Sequence, residues 1–89
     1  MATLESHRPL RAIARDIMLN WKNVNYGAKP YLLAMTQLDH ITDRYGLESA
    51  DSIILYFLSN ATTWRGEHAR AIKAELNQMV KDYNKYRTV

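Results

Sequence analysis

Three histidines, His7, His40 and His68, are the residues of this sequence best suited to acid–base or metal chemistry. They fall in three separate predicted helices, and none belongs to an HExxH or ExxH arrangement, in which two groups share one helix face. His40 has Asp39 and Asp43 nearby, but this grouping does not match the ligand spacing of a zinc site. We therefore expect no metal site and no catalytic histidine.

The sequence contains no cysteine, no glycine-rich phosphate loop and no nucleophile-elbow motif. The lack of cysteine excludes thiolate zinc sites, cysteine nucleophiles and disulfide bonds, and it favours a reducing compartment. Without a glycine-rich phosphate loop there is no recognisable motif for nucleotide hydrolysis, and without a nucleophile elbow there is none for a serine hydrolase. We expect a protein that is not an enzyme and that uses no cofactor.

A row of cations accompanies the first predicted helix. On a helical wheel its members fall within about 60° of one another, beside the apolar stripe. Such a row can meet an acidic protein face, follow a phosphate backbone, or remain a solvated flank whose stems cover the core edge. Leu19 falls on the same side, and an apolar residue among cations suits a protein interface better than a track of phosphates. The predicted partner-binding row consists of Arg8, Arg11, Arg15, Leu19 and Lys22.

A second candidate contact lies at residues 62–67, where a tryptophan, an arginine and a glycine stand near the start of the last predicted helix. Tryptophan and arginine are enriched at binding hot spots, so Trp64 and Arg65 are predicted to bind a partner. Trp64 also extends the core stripe of the preceding helix, and a structural role is the competing interpretation. Leu33 and Leu55 lie opposite the apolar stripes of their helices, which indicates either a contact patch or helices buried on two sides.

Composition places the chain among globular proteins. It has 89 residues, of which 47% are hydrophobic and 24% charged, with a net charge of +3. This is too apolar for disorder and leaves room for one core, so we expect residues 1–89 to form a single helical domain. The longest apolar run, residues 53–58, is far shorter than the roughly 20 residues of a transmembrane helix, and no signal peptide is recognisable. We expect a cytoplasmic protein with no membrane partner.

Apolar residues with helical spacing predict four helices. The first runs from about residue 7 to about residue 22, with Ser6 as its N-cap. The second begins near Pro30 and ends at Tyr45, where Gly46 suits a left-handed C-cap. The core positions predicted for the first helix are Leu10, Ile13, Ala14, Ile17, Met18 and Trp21.

The third predicted helix is capped by Ser49 and contains the run 53–58, which is apolar on every side and predicts a helix wrapped by the other three. The fourth begins near Thr62 or Thr63 and carries a partial heptad seam, which packs lengthwise in the bundle or joins two copies as a homodimer. The predicted fold class is all-α, a compact bundle of about four helices with the third one central. The seam consists of Ala69, Ile72, Leu76, Met79, Tyr83 and Tyr86.

Four short motifs carry a resemblance: Pro-Tyr-Leu at 30–32, Asp-Arg-Tyr-Gly at 43–46, Tyr-Phe-Leu-Ser-Asn-Ala at 56–61 and Trp-Arg-Gly-Glu at 64–67. With these motifs the chain resembles small helical proteins encoded by bacteriophages. The resemblance assigns no role to any residue. It implies a protein that binds and inhibits or modulates host machinery in the host cytoplasm, such as a CRISPR effector or RNA polymerase.

Overall fold

The computed structural model describes residues 7–87, which form four helices and one two-stranded antiparallel ribbon around a single core. The prediction of a mostly helical fold is confirmed, whereas the ribbon shows that the fold is not a pure all-α bundle. None of the helices in this range combines the length and the apolar character that crossing a membrane requires. In chain order the elements are α1 (Leu10–Asn20), α2 (Lys29–Met35), β1 (Arg44–Tyr45), β2 (Glu48–Ser49), α3 (Ala50–Ser59) and α4 (Glu67–Arg87).

The first helix is amphipathic, as predicted, but shorter at both ends. Pro9 is extended, with φ −58° and ψ 142°, and it occupies the N-cap position, so α1 begins at Leu10. The predicted cap, Ser6, lies outside the described residues. Met18 was predicted to be a core residue but is 39% exposed, because it lies at the edge of the apolar stripe. The buried stripe of α1 consists of Leu10, Ile13, Ala14 and Ile17.

The second predicted helix is interrupted, and only α2 is helical. Asp43 supplies the physical reason, because its Oδ2 accepts hydrogen bonds from the backbone N–H groups of Asp39 and His40, each at 3.0 Å. A side chain that bonds nearby backbone groups in this way competes with helical hydrogen bonding. The same two bonds, His40 first, hold the pKa of Asp43 below its usual range. The apolar residues of the interrupted part that remain buried are Leu38 and Ile41.

A tight hairpin takes the place of the last part of that predicted helix. Arg44 of β1 pairs with Ser49 of β2, and Tyr45 pairs with Glu48. Gly46 has a φ of 63°, a left-handed value that other residues rarely adopt, and it fills the first position of a two-residue loop as in a type II′ turn. The sequence therefore indicated the left-handed glycine but assigned it to a helix end.

The third helix begins after Ser49, as predicted, but it is not central. It packs chiefly against α2 and α4, which also contact α1, so the four helices form a ring of neighbours. Leu55 and Tyr56 are 46% and 50% exposed, because no helix within residues 7–87 covers that side of α3. The apolar run is thus divided between a buried side and a side that faces solvent.

The last helix begins at Glu67, after Gly66 with a φ of 112°, and not at Thr62 or Thr63. Its predicted seam faces the core, where the first four seam residues are no more than 3% exposed. The first four seam positions are therefore used within the chain, whereas Tyr86 at the end of the seam is 64% exposed, so only the last turn is left for the homodimer predicted through it. The buried seam residues are Ala69, Ile72, Leu76 and Met79.

A largely buried ion pair joins the segment before α1 to α4. His7 Nε2 lies 2.7 Å from Asp82 Oδ2, and the two side chains are 13% and 5% exposed. Gln78 Nε2 donates a hydrogen bond to Asp82 Oδ1 at 2.9 Å. The bond with His7 is the largest cause holding the pKa of Asp82 below its usual range, followed by the bond from Gln78, and the charge of Lys85 acts in the same direction.

The lowered pKa of Asp82 predicts a loss of stability in acid. The unfolded chain binds this proton more tightly than the folded protein does. The stabilisation is therefore complete above the unfolded carboxyl pKa of about 3.9 and is lost as the pH falls through the lower folded value. We expect the difference in unfolding free energy between wild type and Asp82→Asn to be largest near neutral pH and to shrink towards about pH 2, measured by urea unfolding.

Glu48→Gln is the matched control. Glu48 lies exposed on β2, and its side chain makes no hydrogen bond or ion pair with any of residues 7–87. Its stability profile should follow that of wild type. A constant difference between wild type and Asp82→Asn over the acid range would contradict this assignment.

Candidate functional site

Four exposed residues at the C-terminal end of α1 form a surface that is both cationic and apolar. Arg15, Met18 and Leu19 belong to the helix, and Lys22 follows it in the next turn. We call these four residues the α1 face. Leu19 is 72% exposed, and neither Arg15 nor Lys22 forms an ion pair or hydrogen bond with another residue of the described range. Both charges and the leucine are therefore accessible to a partner.

Arg8 does not belong to this surface, although the sequence places it in the same row. Because α1 begins only after Pro9, Arg8 lies outside the helix, and its side chain turns towards α4. Its Nε and Nη2 donate to the two carboxylate oxygens of Glu75 at 2.9 and 2.8 Å, and its Nη1 donates to Asp16 at 3.2 Å. The hydrogen bond with Glu75 is the main cause that raises the pKa of Arg8. Arg8 is a clamp between α1 and α4 whose charge is already paired within the chain, and its role in partner binding stays a prediction.

Arg11 lies at the edge of the α1 face, where Asp39 neutralises its charge. The two side chains form an ion pair, and both are about half exposed. The backbone N–H of Arg11 also donates to the carbonyl of Leu38 at 2.8 Å, which holds the start of α1 against the segment after α2. Arg11 therefore contributes less positive potential than the sequence suggested.

Trp64 is a core residue, and the structural interpretation given above for it is the correct one. It is 5% exposed, and its ring stacks on Trp21 with centroids 5.4 Å apart and planes 9° from parallel. The rings of Phe57 and Trp21 form a T-shaped contact with their centroids 6.2 Å apart. Lys73 Nζ donates to the carbonyl of Trp64 at 2.6 Å and lies 6.0 Å from its ring centroid. No part of this arrangement leaves the ring of Trp64 exposed to a partner.

Arg65 is exposed and forms no ion pair with any other residue from 7 to 87. It borders Lys73, whose pKa is lowered first by burial and then by the charge of Arg65. The stack of Trp21 on Trp64 brings the segments that carry Lys22 and Arg65 to the same end of the molecule. Arg65 thus adds positive charge at the end of the molecule where Lys22 lies, and its role in partner binding stays a prediction.

The three histidines were predicted to lie in three separate helices, but only His68 does, because His7 precedes α1 and His40 lies between α2 and β1. His7 pairs with Asp82. His68 Nε2 lies 3.2 Å from Asp16 Oδ1, and the His68 ring forms a T-shaped contact with the ring of Trp64. Across residues 7–87 no group of three His, Cys, Asp or Glu side chains is positioned to hold a metal ion.

A shallow apolar depression of about 250 Å³, which the sequence analysis did not predict, lies at the start of α2. Tyr26 is 95% exposed beside it, and Leu33 is 52% exposed. The signal that could have found it is the spacing of Tyr26, Pro30 and Leu33, which share one side once the chain enters α2. Lys29 is the one charged residue that lines the depression.

Comparison with known proteins gives no match, either to a protein-family model, to a curated protein or to a solved structure. The assignment of a site therefore depends on the geometry of this chain.

The different roles of the adjacent residues Trp64 and Arg65 can be measured. Trp64→Ala should lower the unfolding free energy by about 3–5 kcal/mol, because it removes a buried ring from a packed core. Arg65→Ala should change it by no more than about 0.5 kcal/mol, as is usual for an exposed residue without a partner. Urea unfolding followed by far-UV circular dichroism measures both values. Equal effects of the two substitutions would show that Trp64 is not the core residue described here.

Proposed function

We propose that this chain is a non-enzymatic protein-binding module that contacts its partner through the α1 face. The observation that carries the proposal is Leu19, 72% exposed between Arg15 and Lys22, two cations without a carboxylate partner among the described residues. The fold does not need this side of α1, because the opposite side supplies the core contacts.

The chemistry of the α1 face defines the partner it fits. Leu19 and Met18 offer apolar area that is stabilised by leaving water, and the two cations beside them favour an acidic rim. Complementary charge raises the rate of encounter and selects the partner, while the apolar contacts slow dissociation. The partner we propose is therefore a protein with an apolar pocket bordered by aspartate or glutamate.

Nucleic acid is the alternative partner, and two observations weigh against it. Of the four cations predicted to form the row, Arg8 and Arg11 are already paired with carboxylates of the chain. Affinity for a phosphate backbone grows with the number of phosphates that are neutralised, and Arg15 and Lys22 leave a short track. Leu19 and Met18 would in addition be placed against a charged backbone that offers them no apolar contact.

The resemblance to bacteriophage-encoded proteins supports a more specific form of the proposal, in which the partner is a bacterial host complex that the module inhibits or modulates. CRISPR effectors and RNA polymerase are the first complexes to test. Both are protein complexes that bind nucleic acid. An inhibitor of such a complex acts by occupying its nucleic-acid-binding site or by blocking a conformational change. The α1 face serves that purpose by protein contact, without any chemistry of its own.

The proposal predicts that substitutions on the α1 face abolish binding and preserve the fold. We expect Leu19→Asp and Arg15→Glu each to weaken partner binding about tenfold or more, since central contacts of an interface cost over 1 kcal/mol when removed. The measurement is a comparative pull-down from bacterial lysate with quantitative mass spectrometry, followed by titration of the captured protein.

Two variants serve as matched controls. Leu47→Asp changes a leucine that is 95% exposed on the hairpin loop, and Lys81→Glu reverses an exposed cation on α4 that makes no ion pair with other described residues. Both should bind as wild type does. A protein captured equally by all four variants would contradict the α1 face as the binding surface. Salt-sensitive retardation of DNA or RNA that Arg15→Glu abolishes would support the nucleic-acid alternative instead.

A further inference from the structure

The side of α4 that faces solvent carries cations and amides. The seam packs into the core, and on the other side of the helix lie residues spaced four, three, four and three positions apart, within an arc of about 80° on a helical wheel. All of them are exposed. We call them the α4 face, which consists of Arg70, Ala74, Asn77, Lys81 and Asn84.

The positive charges of the α4 face are not neutralised by the part of the chain that the structure describes. Arg70 and Lys81 form no ion pair or side-chain hydrogen bond with any of residues 7–87. Two acids of α4, Glu75 and Asp82, lie on another side of the helix, where each is already paired within the chain. The remaining carboxylate of α4 is Glu67, which is exposed about one turn before Arg70. The face is therefore accessible and cationic, with one acid beside its N-terminal end.

The dimensions of α4 fit a groove of double-stranded DNA. The face extends over about 21 Å from Arg70 to Asn84, and the buried seam holds the helix against the core along this length. An α-helix is about 10–12 Å across, and the major groove of B-form DNA is about 12 Å wide. Arg70 and Lys81 lie about 16 Å apart along the helix. With α4 in the groove, these two cations reach the phosphates at its rims, and Asn77 between them faces the bases.

The amide of Asn77 has the groups that recognise a base edge. Its Nδ2 donates to the carbonyl of Lys73 at 3.0 Å, which holds the side chain against the helix. With respect to residues 7–87, one N–H and the Oδ1 of this amide are left without a partner. One donor and one acceptor on an asparagine match N7 and the N6 amino group of adenine in the major groove. Asn84, two turns further along, makes no hydrogen bond through its side chain with other described residues.

The α4 face has no apolar anchor, which favours DNA over an acidic protein. Large apolar side chains are exposed on α1, α2 and α3, among them Leu19, Leu33 and Leu55, whereas within α4 the exposed one is Tyr86, away from the face. Protein interfaces depend on buried aromatic and apolar contacts and are depleted in lysine. Protein–DNA interfaces are more polar and more positively charged.

We propose that the α4 face binds double-stranded DNA, with α4 in the major groove, Arg70 and Lys81 on phosphates and Asn77 against base edges. Lys85, one turn after Lys81, adds a third cation to the contact. This surface is separate from the α1 face and does not depend on the function proposed for it. Two or three phosphate contacts give weak binding, so we expect a dissociation constant on the order of 10 µM at about 50 mM salt, rising about tenfold by about 150 mM.

Fluorescence anisotropy of a labelled DNA duplex, titrated with the full chain at several salt concentrations, tests the proposal. The logarithm of the association constant should fall with the logarithm of salt concentration with a slope of about −2 to −3. Arg70→Ala and Lys81→Ala should each weaken binding about tenfold and make the slope shallower by about 1. Arg15→Ala is the matched control, because it removes an exposed cation without a partner among the described residues, and it should bind DNA as wild type does.

Glu67 provides a test of the opposite sign, which loss of the fold cannot imitate. Glu67→Gln removes the carboxylate that repels phosphates at the N-terminal end of the α4 face, so DNA binding should tighten about threefold or more. Glu48→Gln makes the same change of net charge on β2 and is the control, with an affinity close to that of wild type.

Two further probes separate DNA from other polyanions. The major groove of an RNA duplex is too narrow to admit a helix, so an RNA duplex of the same sequence should bind more weakly than DNA, and so should polyglutamate. Equal binding of all three would overturn the proposal, because the α4 face would then be a surface for any polyanion, including an acidic protein. The proposal would also be overturned by unchanged anisotropy at about 500 µM protein and about 50 mM salt, or by equal losses for Arg15→Ala and Arg70→Ala.

Discussion

The stack of Trp21 on Trp64 holds together parts of the chain that are far apart in sequence. Trp21 follows α1, Trp64 lies in the segment between α3 and α4, and Phe57 of α3 meets the edge of Trp21. Both tryptophans are more than nine-tenths buried, and aromatic pairs contribute about 0.5–1.5 kcal/mol beyond the burial of their area. The direction in which the chain leaves α1 and enters α4 depends on this contact.

Polar contacts complete the arrangement on one side of α1 and leave the other side open. Towards α4, Arg8, Asp16, Glu75 and His68 form a connected set of ion pairs and hydrogen bonds. These groups are partly exposed, and such pairs usually stabilise a fold by less than about 1 kcal/mol each, so their main effect is to orient the segment before α1. The α1 face lies on the helix away from these contacts, which is why a mixed cationic and apolar surface remains accessible there.

Local periodicity was sufficient to predict most of the helices and most of the core. The stripe of α1 and the seam of α4 are buried at the expected positions because both follow the helical period over several turns. It was not sufficient between α2 and α3. There the side chain of Asp43 accepts a hydrogen bond from the backbone N–H of Asp39, and Gly46 permits a hairpin loop. Neither feature can be read from helical periodicity.

The predicted site residues fall into two groups, those whose exposure follows from the local helix pattern and those whose contacts are with residues distant in sequence. Arg15, Leu19 and Lys22 are accessible as expected, since exposure on a helix follows from the apolar stripe beside them. The contacts that Arg8 and Trp64 make within the chain were not predicted, because their partners, Glu75 and Trp21, are distant in sequence. No local pattern reports that contact. The seam of α4 was ambiguous for a similar reason, since periodicity identifies an apolar stripe but not what covers it.

The central claim is that α1 folds the protein with one side and leaves the other side for a partner. The most direct test is the unfolding free energy of a variant that carries Arg15→Ala, Leu19→Ala and Lys22→Ala together, measured by urea denaturation. We expect a value within about 0.5 kcal/mol of wild type, because exposed side chains without partners contribute little and alanine favours the helix. A loss of more than about 2 kcal/mol, the size expected when a packed side chain is removed, would contradict it.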